Sequence, residues 1–276
     1  MAGKKAKLSF QDRIMKLASS RWAIVAVIVA LTSHFIGTSQ GRMIVLRLAS
    51  KLNNTFGKSL QTNLSHPTGS LVGWFVTRLM EDVNTASILD LITRADLRPG
   101  DTAMEVCFGP GKGLEELVLY GGVEVIGVDR SDEMHSRASQ RVLDHIAEGR
   151  VRLLNASVDD IPGVRDGSVD KVLSMNCVYF WPSLSDSFRE VYRVMKPGGL
   201  FATGAKFSNI REFDDEIFRN KDQQAILDAL TEAGFVDVHA NEVRISTGCP
   251  GKNARSGCKV DPRSHYTGIY ATKPVR

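Results

Sequence analysis

Several features are scarce in this sequence, and each scarcity excludes a class of protein. The 276 residues include four cysteines, too few for a fold of this size to be stabilised mainly by disulfide bonds. Cys107 and Cys177 lie in apolar, strand-like runs, so we expect them to be reduced thiols in the core. Cys249 and Cys258 flank a polar loop; their pairing stays open, and with His265 they match no recognised zinc pattern, so no metal is expected. The nine prolines and 24 glycines do not indicate a disordered chain.

Acidic side chains are almost absent from the first 80 residues. Asp12 stands there against eleven lysines and arginines, whereas the rest of the chain carries 24 basic and 30 acidic side chains. The formal net charge of +4 therefore combines a strongly basic N-terminal segment with a mildly acidic body. Such a segment is suited to meeting a polyanion, either a membrane surface or a nucleic acid.

Charge of either sign is absent between Arg21 and Arg42. A helix over residues 22–41 would be about 30 Å long, the thickness of a bilayer core, although polar residues dilute its second half. We favour a membrane anchor or a helix lying on a membrane; a signal peptide, a mitochondrial transit segment and a buried helix stay open. The sequence thus predicts a basic extension over residues 1–60 and one domain over 61–276. The protein is expected to be intracellular and membrane-associated, and its oligomeric state is open.

Helical spacing of apolar residues over 71–97 predicts two helices, and beyond Pro99-Gly100 the pattern changes to alternating strands and helices. The predicted strands are residues 102–108, 123–129, 151–157, 170–176, 199–206, 235–245 and 266–272. The predicted helices between them are residues 111–120, 132–148, 183–195 and 223–233. This alternation is typical of an α/β protein with a mostly parallel sheet and helices on both faces. Ligands of such sheets bind at the carboxyl ends of the strands.

The motif AMEVCFGPGKG, residues 103–113, joins the first predicted strand to a helix. Its glycines let the backbone approach a ligand, and the helix start offers free N–H groups to a carboxylate or anion. The spacing G-x-G-x-G differs from the G-x-G-x-x-G of dinucleotide enzymes. Glu105, four residues before Gly109, would repel a pyrophosphate but can hold the cationic amino-acid portion of S-adenosylmethionine. Glu105, Gly109 and Gly111 therefore predict a site for S-adenosylmethionine and disfavour a dinucleotide.

Asp129 ends the second predicted strand, in the run VIGVDR. A carboxylate at this place can accept hydrogen bonds from both ribose hydroxyls of a nucleoside, and Arg130 and Met134 can then cover its adenine. The alternative is that Asp129 only caps the following helix, which begins near Ser131. The distance from the glycine loop favours the ribose role.

These motifs, with residues 155–182 and 189–201, resemble the class I S-adenosylmethionine-dependent methyltransferases of the ubiquinone/menaquinone-biosynthesis-like, small-molecule family (type 11). The resemblance covers residues 66–275. It implies a Rossmann-like sheet of seven strands with the last one antiparallel. It also implies that Ser157 and Val158 bracket the adenine and that Asn176 lines the methyl-transfer site. Cys107 and Ser157 depart from the family pattern, which has glycine and often aspartate at these places.

Tyr179 and Trp181 follow Asn176 and can form an aromatic wall for a cationic amine, with a place in the core as the alternative. No catalytic residue is identified, because such enzymes mainly align a nucleophile with the sulfonium methyl. A nucleic-acid acceptor is disfavoured: Asn176-Cys177-Val178-Tyr179 replaces the Asn-Pro-Pro-Tyr signature of adenine N-methylation, and the body of the chain is acidic.

We therefore expect methyl transfer to a small acceptor, either lipophilic or an amine, at a membrane. A membrane scaffold that binds S-adenosylmethionine without catalysis is the alternative.

Overall fold

The computed structural model describes residues 55–211, 213–245 and 265–275. The predicted hydrophobic helix 22–41, most of the basic extension, and Cys249 with Cys258 lie outside these residues. The predicted boundary after residue 60 falls inside the first described helix, Thr55–Ser65. Within the described ranges, no helix combines the length and the apolar character needed to cross a bilayer.

Helices and strands alternate along most of the described chain. The helices are α1 Thr55–Ser65, α2 Leu71–Arg94, α3 Lys112–Val118, α4 Asp132–Arg141, α5 Leu143–Ala147, α6 Leu184–Val194, α7 Phe207–Ile210 and α8 Gln223–Glu232, with a 3-10 turn at Val178–Phe180. The strands are β1 Thr102–Val106, β2 Glu124–Asp129, β3 Val151–Asn155, β4 Val169–Met175, β5 Met195–Ala205, β6 Val236–Arg244 and β7 His265–Thr272. Each predicted strand is therefore confirmed, with shifts of a few residues at the ends.

In the described part of the chain, seven strands form one sheet in the order β3-β2-β1-β4-β5-β7-β6. The strands β1 to β5 run parallel, and β7 runs antiparallel to both β5 and β6. The strand order reverses between β1 and β4, the place where open α/β sheets bind ligands. This topology confirms the predicted Rossmann-like α/β fold with its last strand antiparallel.

The central strands are apolar because helices cover both faces of the sheet. In β1, Ala103, Met104 and Val106 are at most 1 % exposed, and in β4 Val172 and Leu173 are at most 2 % exposed. Parallel strands of this kind carry no solvent face and so lack the polar alternation of an antiparallel edge. The core therefore lies against the strands whose carboxyl ends carry the predicted motifs.

Two helix predictions need correction. Residues 71–94 form one continuous helix, α2, where two were predicted. The apolar stripe changes face along this helix, but from Trp74 to Arg94 it contains neither glycine nor proline, so its backbone hydrogen bonds continue. The predicted helix 132–148 divides at Val142 (φ −112°, ψ 26°) into α4 and α5. Val142 is 1 % exposed, so the break turns this side chain into the core.

Gly109 and Gly111 form a matched pair for testing the turn after β1. Gly111 has φ +84°, and a Cβ there would lie 2.9 Å from the Cβ of Ala138 in α4. Gly109 has φ +53° and open space where its Cβ would be. We expect Gly111→Ala to lower the free energy of unfolding by about 2 kcal/mol, through left-handed strain and overpacking, and Gly109→Ala by about 1 kcal/mol, through strain alone. Urea denaturation measures both; equal losses would contradict the close packing of Gly111 on α4.

Candidate functional site

A cavity opens at the carboxyl ends of four neighbouring strands. The sheet order places these ends in the succession β3, β2, β1 and β4, so the cavity extends along one edge of the sheet. The lining residues are Leu64, Ser65, Pro67, Met80, Val106, Cys107, Gly109, Val128, Asp129, Arg130, Met134, Ala156, Ser157, Val158, Met175, Asn176, Cys177, Phe180, Trp181 and Pro182.

Three glycines, two in the turn between β1 and α3 and one in the first turn of α3, have different contacts. Gly109 lines the cavity, and its open Cβ position leaves the backbone accessible to a ligand. Gly111 packs against Ala138 and does not line the cavity. Gly113 lies so close to Glu105 that a Cβ would overlap the carboxylate. The turn thus presents Gly109 to a ligand and uses the other two glycines for packing.

Asp129 lies at the end of β2, in the wall of the cavity. Its Oδ2 accepts the backbone N–H of Gly109 at 3.0 Å, and its Oδ1 accepts that of Ser131 at 2.9 Å. Burial raises the pKa of Asp129, while these two hydrogen bonds and the charge of Arg130 act to lower it. A carboxylate has about four lone-pair sites, so two remain for the hydroxyls of a ribose. Anchoring of the neighbouring backbone and the predicted ribose role are therefore compatible at this residue.

Glu105 lies beneath the glycine loop and outside the cavity lining. It is 6 % exposed, its carboxyl accepts the backbone N–H of Leu114, and its Oε2 has no hydrogen-bond partner among the described residues. Burial, helped by the charge of Asp129, raises the pKa of Glu105 to about 8. A carboxyl that is mostly protonated at neutral pH offers little charge to a cationic ligand. Its placement supports anchoring of the loop, and the direct contact with the cofactor stays a prediction.

The residues predicted to surround the adenine line one end of the cavity. Arg130 and Met134 follow β2, and Ser157 and Val158 follow β3. Met134 and Val158 are 2 % and 5 % exposed, so they offer apolar surface to a flat ring. The hydroxyl of Ser157 donates to Asp159, which brings a carboxylate close to the place where family members often carry aspartate.

Asn176 follows β4 at the other end of the cavity, with φ +54°. Its Oδ1 accepts the backbone N–H of Lys206 at 3.1 Å, and its Nδ2 donates to the Oδ1 of Asn84 at 2.7 Å. The Nζ of Lys206 donates to the carbonyl of Val83 at 3.0 Å, and burial lowers the pKa of this lysine to about 8. Helix α2 and the end of β5 therefore hold the Asn176 carboxamide in place. Neither Asn84 nor Lys206 was predicted from the sequence to have this role.

Asn84→Ala is expected to lower the free energy of unfolding by about 1 kcal/mol, because the amide N–H of Asn176 loses its partner. Asn84→Asp keeps the accepting oxygen and is expected to stay near the wild type. Urea denaturation of the two variants measures the difference. Equal losses for alanine and aspartate would show that the hydrogen bond does not support Asn176.

The aromatic residues after Asn176 divide between the cavity and the core. Trp181 lines the cavity together with Phe180. Tyr179 does not line it, and packs against Phe180 and Phe218 with ring centroids 4.8 and 5.5 Å away. For Tyr179 the structure therefore favours the core alternative over the aromatic wall.

Cys107 and Cys177 are joined by a disulfide, so the expectation of two reduced core thiols is wrong. They lie beyond the ends of β1 and β4, which are neighbouring parallel strands, and both line the cavity. They are 70 residues apart in the sequence, so only the strand order reveals their proximity.

Residues from the two helices before the sheet and from the turn between them complete the lining: Leu64, Ser65, Pro67 and Met80. These four residues were not predicted from the sequence to lie at a ligand site. Residues 55–211, 213–245 and 265–275 contain no group of three His, Cys, Asp or Glu side chains arranged to hold a metal ion.

Comparisons with known proteins agree with this geometry. A family model described as a methyltransferase domain matches residues 104–203, from β1 to β5. The Bacillus subtilis protein named Uncharacterized methyltransferase YdaC is 31% identical over 150 residues, which cover 53% of this chain and 78% of that protein. The sterol 24-C-methyltransferase of Pneumocystis carinii is 28% identical over 109 residues, covering 40% of this chain and 29% of that protein. Phosphoethanolamine N-methyltransferase 2 of Caenorhabditis elegans is 27% identical over 166 residues, covering 56% of this chain and 37% of that protein.

Among solved structures, the geranyl diphosphate C-methyltransferase of Streptomyces coelicolor, in complex with Mg²⁺, geranyl diphosphate and S-adenosyl-L-homocysteine, is similar with a TM-score of 0.54 and 20% identity. The likeness covers 76% of this chain and 88% of that one, and at this identity it concerns the fold. The matched domain and the similarity to most of the Bacillus subtilis protein assign the family. The chain belongs to the class I S-adenosylmethionine-dependent methyltransferases.

Proposed function

We propose that the protein transfers the methyl group of S-adenosylmethionine to a small, uncharged and lipophilic acceptor at the Asn176 end of the cavity. The observation that carries this proposal is the apolar lining around Asn176. The chain on either side of Asn176 contributes Met175, Phe180 and Trp181 to this lining. Helix α2 contributes Met80, one turn before Asn84, which is the hydrogen-bond partner of Asn176. Apolar walls with few polar groups suit an acceptor that is mostly hydrocarbon.

The charges of the lining favour this acceptor over a cationic amine. Among the described residues of the lining, only Asp129 and Arg130 are charged, and both belong to the end of β2. No carboxylate of the described residues accompanies Asn176 in the lining, and a buried cation without a partner is costly. Lys206, when protonated, places its positive charge at the carbonyl of Val83, the residue before the Asn84 that holds Asn176. The similar proteins carry names that range from sterol to phosphoethanolamine methyltransferases, so family membership alone leaves the acceptor open.

S-adenosylmethionine, when bound, supplies a methyl group on a positively charged sulfur. The acceptor bonds to this methyl group, and the sulfur is the leaving group. The residues of this chain contribute binding and alignment. Asp129 and the backbone of Gly109 are placed to hold the nucleoside, and the fixed Asn176 carboxamide borders the acceptor. The apolar residues exclude water, which would compete with a weak nucleophile. This division of roles needs no metal.

The test is a transfer assay with the full-length protein and S-adenosylmethionine labelled in its methyl group. A lipid extract is separated into neutral lipids and amine-bearing lipids, and small amines form a third pool. Label in the neutral lipids is the expected result, and Asp129→Ala is expected to abolish it. Label confined to the amines would overturn the proposed acceptor class. Cofactor binding without transfer to any pool would favour the scaffold alternative.

We also propose that the basic N-terminal segment, with the uncharged residues 22–41, brings the protein to a membrane surface. The support is the charge asymmetry of the sequence and the membrane solubility of a lipophilic acceptor. Flotation of the full-length protein with vesicles of neutral or anionic lipids tests this. Binding to both kinds indicates an apolar anchor, and binding to anionic vesicles alone indicates a charged surface contact. Failure to float with either kind would contradict the proposal.

A further inference from the structure

The disulfide between Cys107 and Cys177 joins two walls of the cofactor cavity. Cys107 precedes the glycine loop after β1, and Cys177 follows Asn176 after β4. Both line the cavity; Cys177 is 4 % exposed, whereas Cys107 is only partly buried. The bridge therefore ties the segment that holds the nucleoside to the segment that borders the acceptor.

We propose that this cysteine pair is a reversible redox modification site, and that the disulfide form binds S-adenosylmethionine more tightly than the dithiol form. The proposal rests on S-adenosylmethionine being the ligand of the cavity, as in the proposed function. The reactant that forms the bridge is a small disulfide, and the reactant that opens it is a small thiol.

The effect on the cofactor follows from what reduction must move. Two sulfur atoms that are no longer bonded repel at bonding distance, so at least one side chain has to turn away. Cys177 is packed in the core, so the displacement falls on Cys107. That residue lies two positions before Gly109, whose N–H holds the carboxylate of Asp129. Movement of Cys107 therefore loosens the glycine loop. Through the N–H of Gly109 it also disturbs the position of the Asp129 carboxylate, to which the proposal assigns the ribose.

The backbone at Cys107 adds to this effect. Its φ of +58° is in the left-handed region, which residues other than glycine rarely adopt. The bridge helps to keep the residue there, and its loss lets the backbone relax. A loop held in the binding conformation spends less ordering entropy when the ligand arrives, so the bridged form binds more tightly.

The chemistry is thiol–disulfide exchange, which balances without a further oxidant. The thiolate of the more accessible Cys107 attacks a small disulfide, forms a mixed disulfide and releases one small thiolate. The thiolate of Cys177 then attacks the Cys107 sulfur and releases the second. Overall, two protein thiols are oxidised to one bridge while one small disulfide is reduced to two thiols, and excess thiol reverses the reaction.

Because cofactor binding and oxidation of the pair are thermodynamically linked, the effect can be measured either as a change in cofactor affinity or as a change in midpoint potential. If the bridged form binds the cofactor about tenfold more tightly, saturating cofactor must favour the bridge by the same factor. For this two-electron couple, a factor of ten lowers the midpoint potential by about 30 mV.

The test uses the full-length protein equilibrated with oxidised or reduced glutathione, with the bridge verified by peptide mass mapping. Calorimetry of S-adenosylmethionine binding is expected to give about tenfold tighter binding in the oxidised state. The control Cys249→Ala/Cys258→Ala removes the other two cysteines and is expected to respond like the wild type. Cys107→Ser/Cys177→Ser is expected to bind equally under both conditions.

Equal or weaker binding by the oxidised wild type would overturn the proposal. A redox response that persists in Cys107→Ser/Cys177→Ser would overturn it as well. A glutathione redox titration without the cofactor separates this outcome from a failure of the proposed function. If neither redox state binds S-adenosylmethionine, the cofactor assignment fails. The titration still shows whether Cys107 and Cys177 form their bridge reversibly. A bridge that never forms, or one that never opens, would overturn the proposed modification site.

Discussion

Asp129→Ala is expected to weaken S-adenosylmethionine binding about 100-fold. The substitution removes a carboxylate placed to accept both ribose hydroxyls, and hydrogen bonds to a charged group contribute about 1.5 to 3 kcal/mol each. It also frees the backbone N–H of Gly109, which the carboxylate holds at 3.0 Å. A combined loss near 3 kcal/mol corresponds to roughly two decades in the dissociation constant. Calorimetric titration of the full-length variant measures it.

Asp132→Asn is the matched control for Asp129→Ala. Asp132 lies three residues further on, is exposed and does not line the cavity. Removing its charge is expected to leave the affinity for S-adenosylmethionine unchanged. If both substitutions weaken binding equally, the effect is a general one of charge, and the ribose role of Asp129 would be refuted.

Glu105→Gln is expected to make the protein more stable relative to the wild type as the pH rises. Burial raises the pKa of Glu105 from 4.5 to about 8 in the folded protein. Between these values the folded state holds a proton that the unfolded state releases, so the stability of the wild type falls as pH increases. Where the folded state holds one proton more than the unfolded state, the free energy of unfolding falls by roughly 1.4 kcal/mol for each unit of pH increase. Glutamine has nearly the same shape, can still accept the N–H of Leu114 and does not titrate.

The measurement is urea denaturation of both proteins at pH values that lie between the two pKa values, 4.5 and about 8. The difference between variant and wild type is expected to grow steadily across this window. Glu124→Gln, at an exposed position at the start of β2, is the control and is expected to follow the wild type. A constant difference between Glu105→Gln and the wild type would mean that Glu105 is ionised in the folded protein.

The sequence predicted the fold and the meeting of the glycine loop with Asp129 because their signals are local. A strand, a glycine turn and a helix start lie within residues 103–113, and Asp129 ends the next strand. The alternation of such units dictates a parallel sheet, and the parallel sheet brings the ends of its strands to one edge. The contact between Gly109 and Asp129, which are 20 residues apart, therefore follows from the strand order alone.

The Asn176 end of the cavity was less predictable because its contacts are distant along the chain. Asn84 and Asn176 are 92 residues apart, and Val83 and Lys206 are 123 apart. No spacing rule connects such pairs; only the packing of α2 against the sheet does. Glu105 shows a second limit. Its position in the motif was evident, but whether its side chain faces a ligand or the underside of the loop depends on how the turn packs.

Calorimetric titration of the full-length wild-type protein with S-adenosylmethionine, and separately with NADH, decides whether the cavity is a site for S-adenosylmethionine. We expect S-adenosylmethionine to bind at one site and NADH not to bind. A protein shown by circular dichroism to be folded, yet binding no S-adenosylmethionine or preferring NADH, would show that the cofactor assignment is wrong.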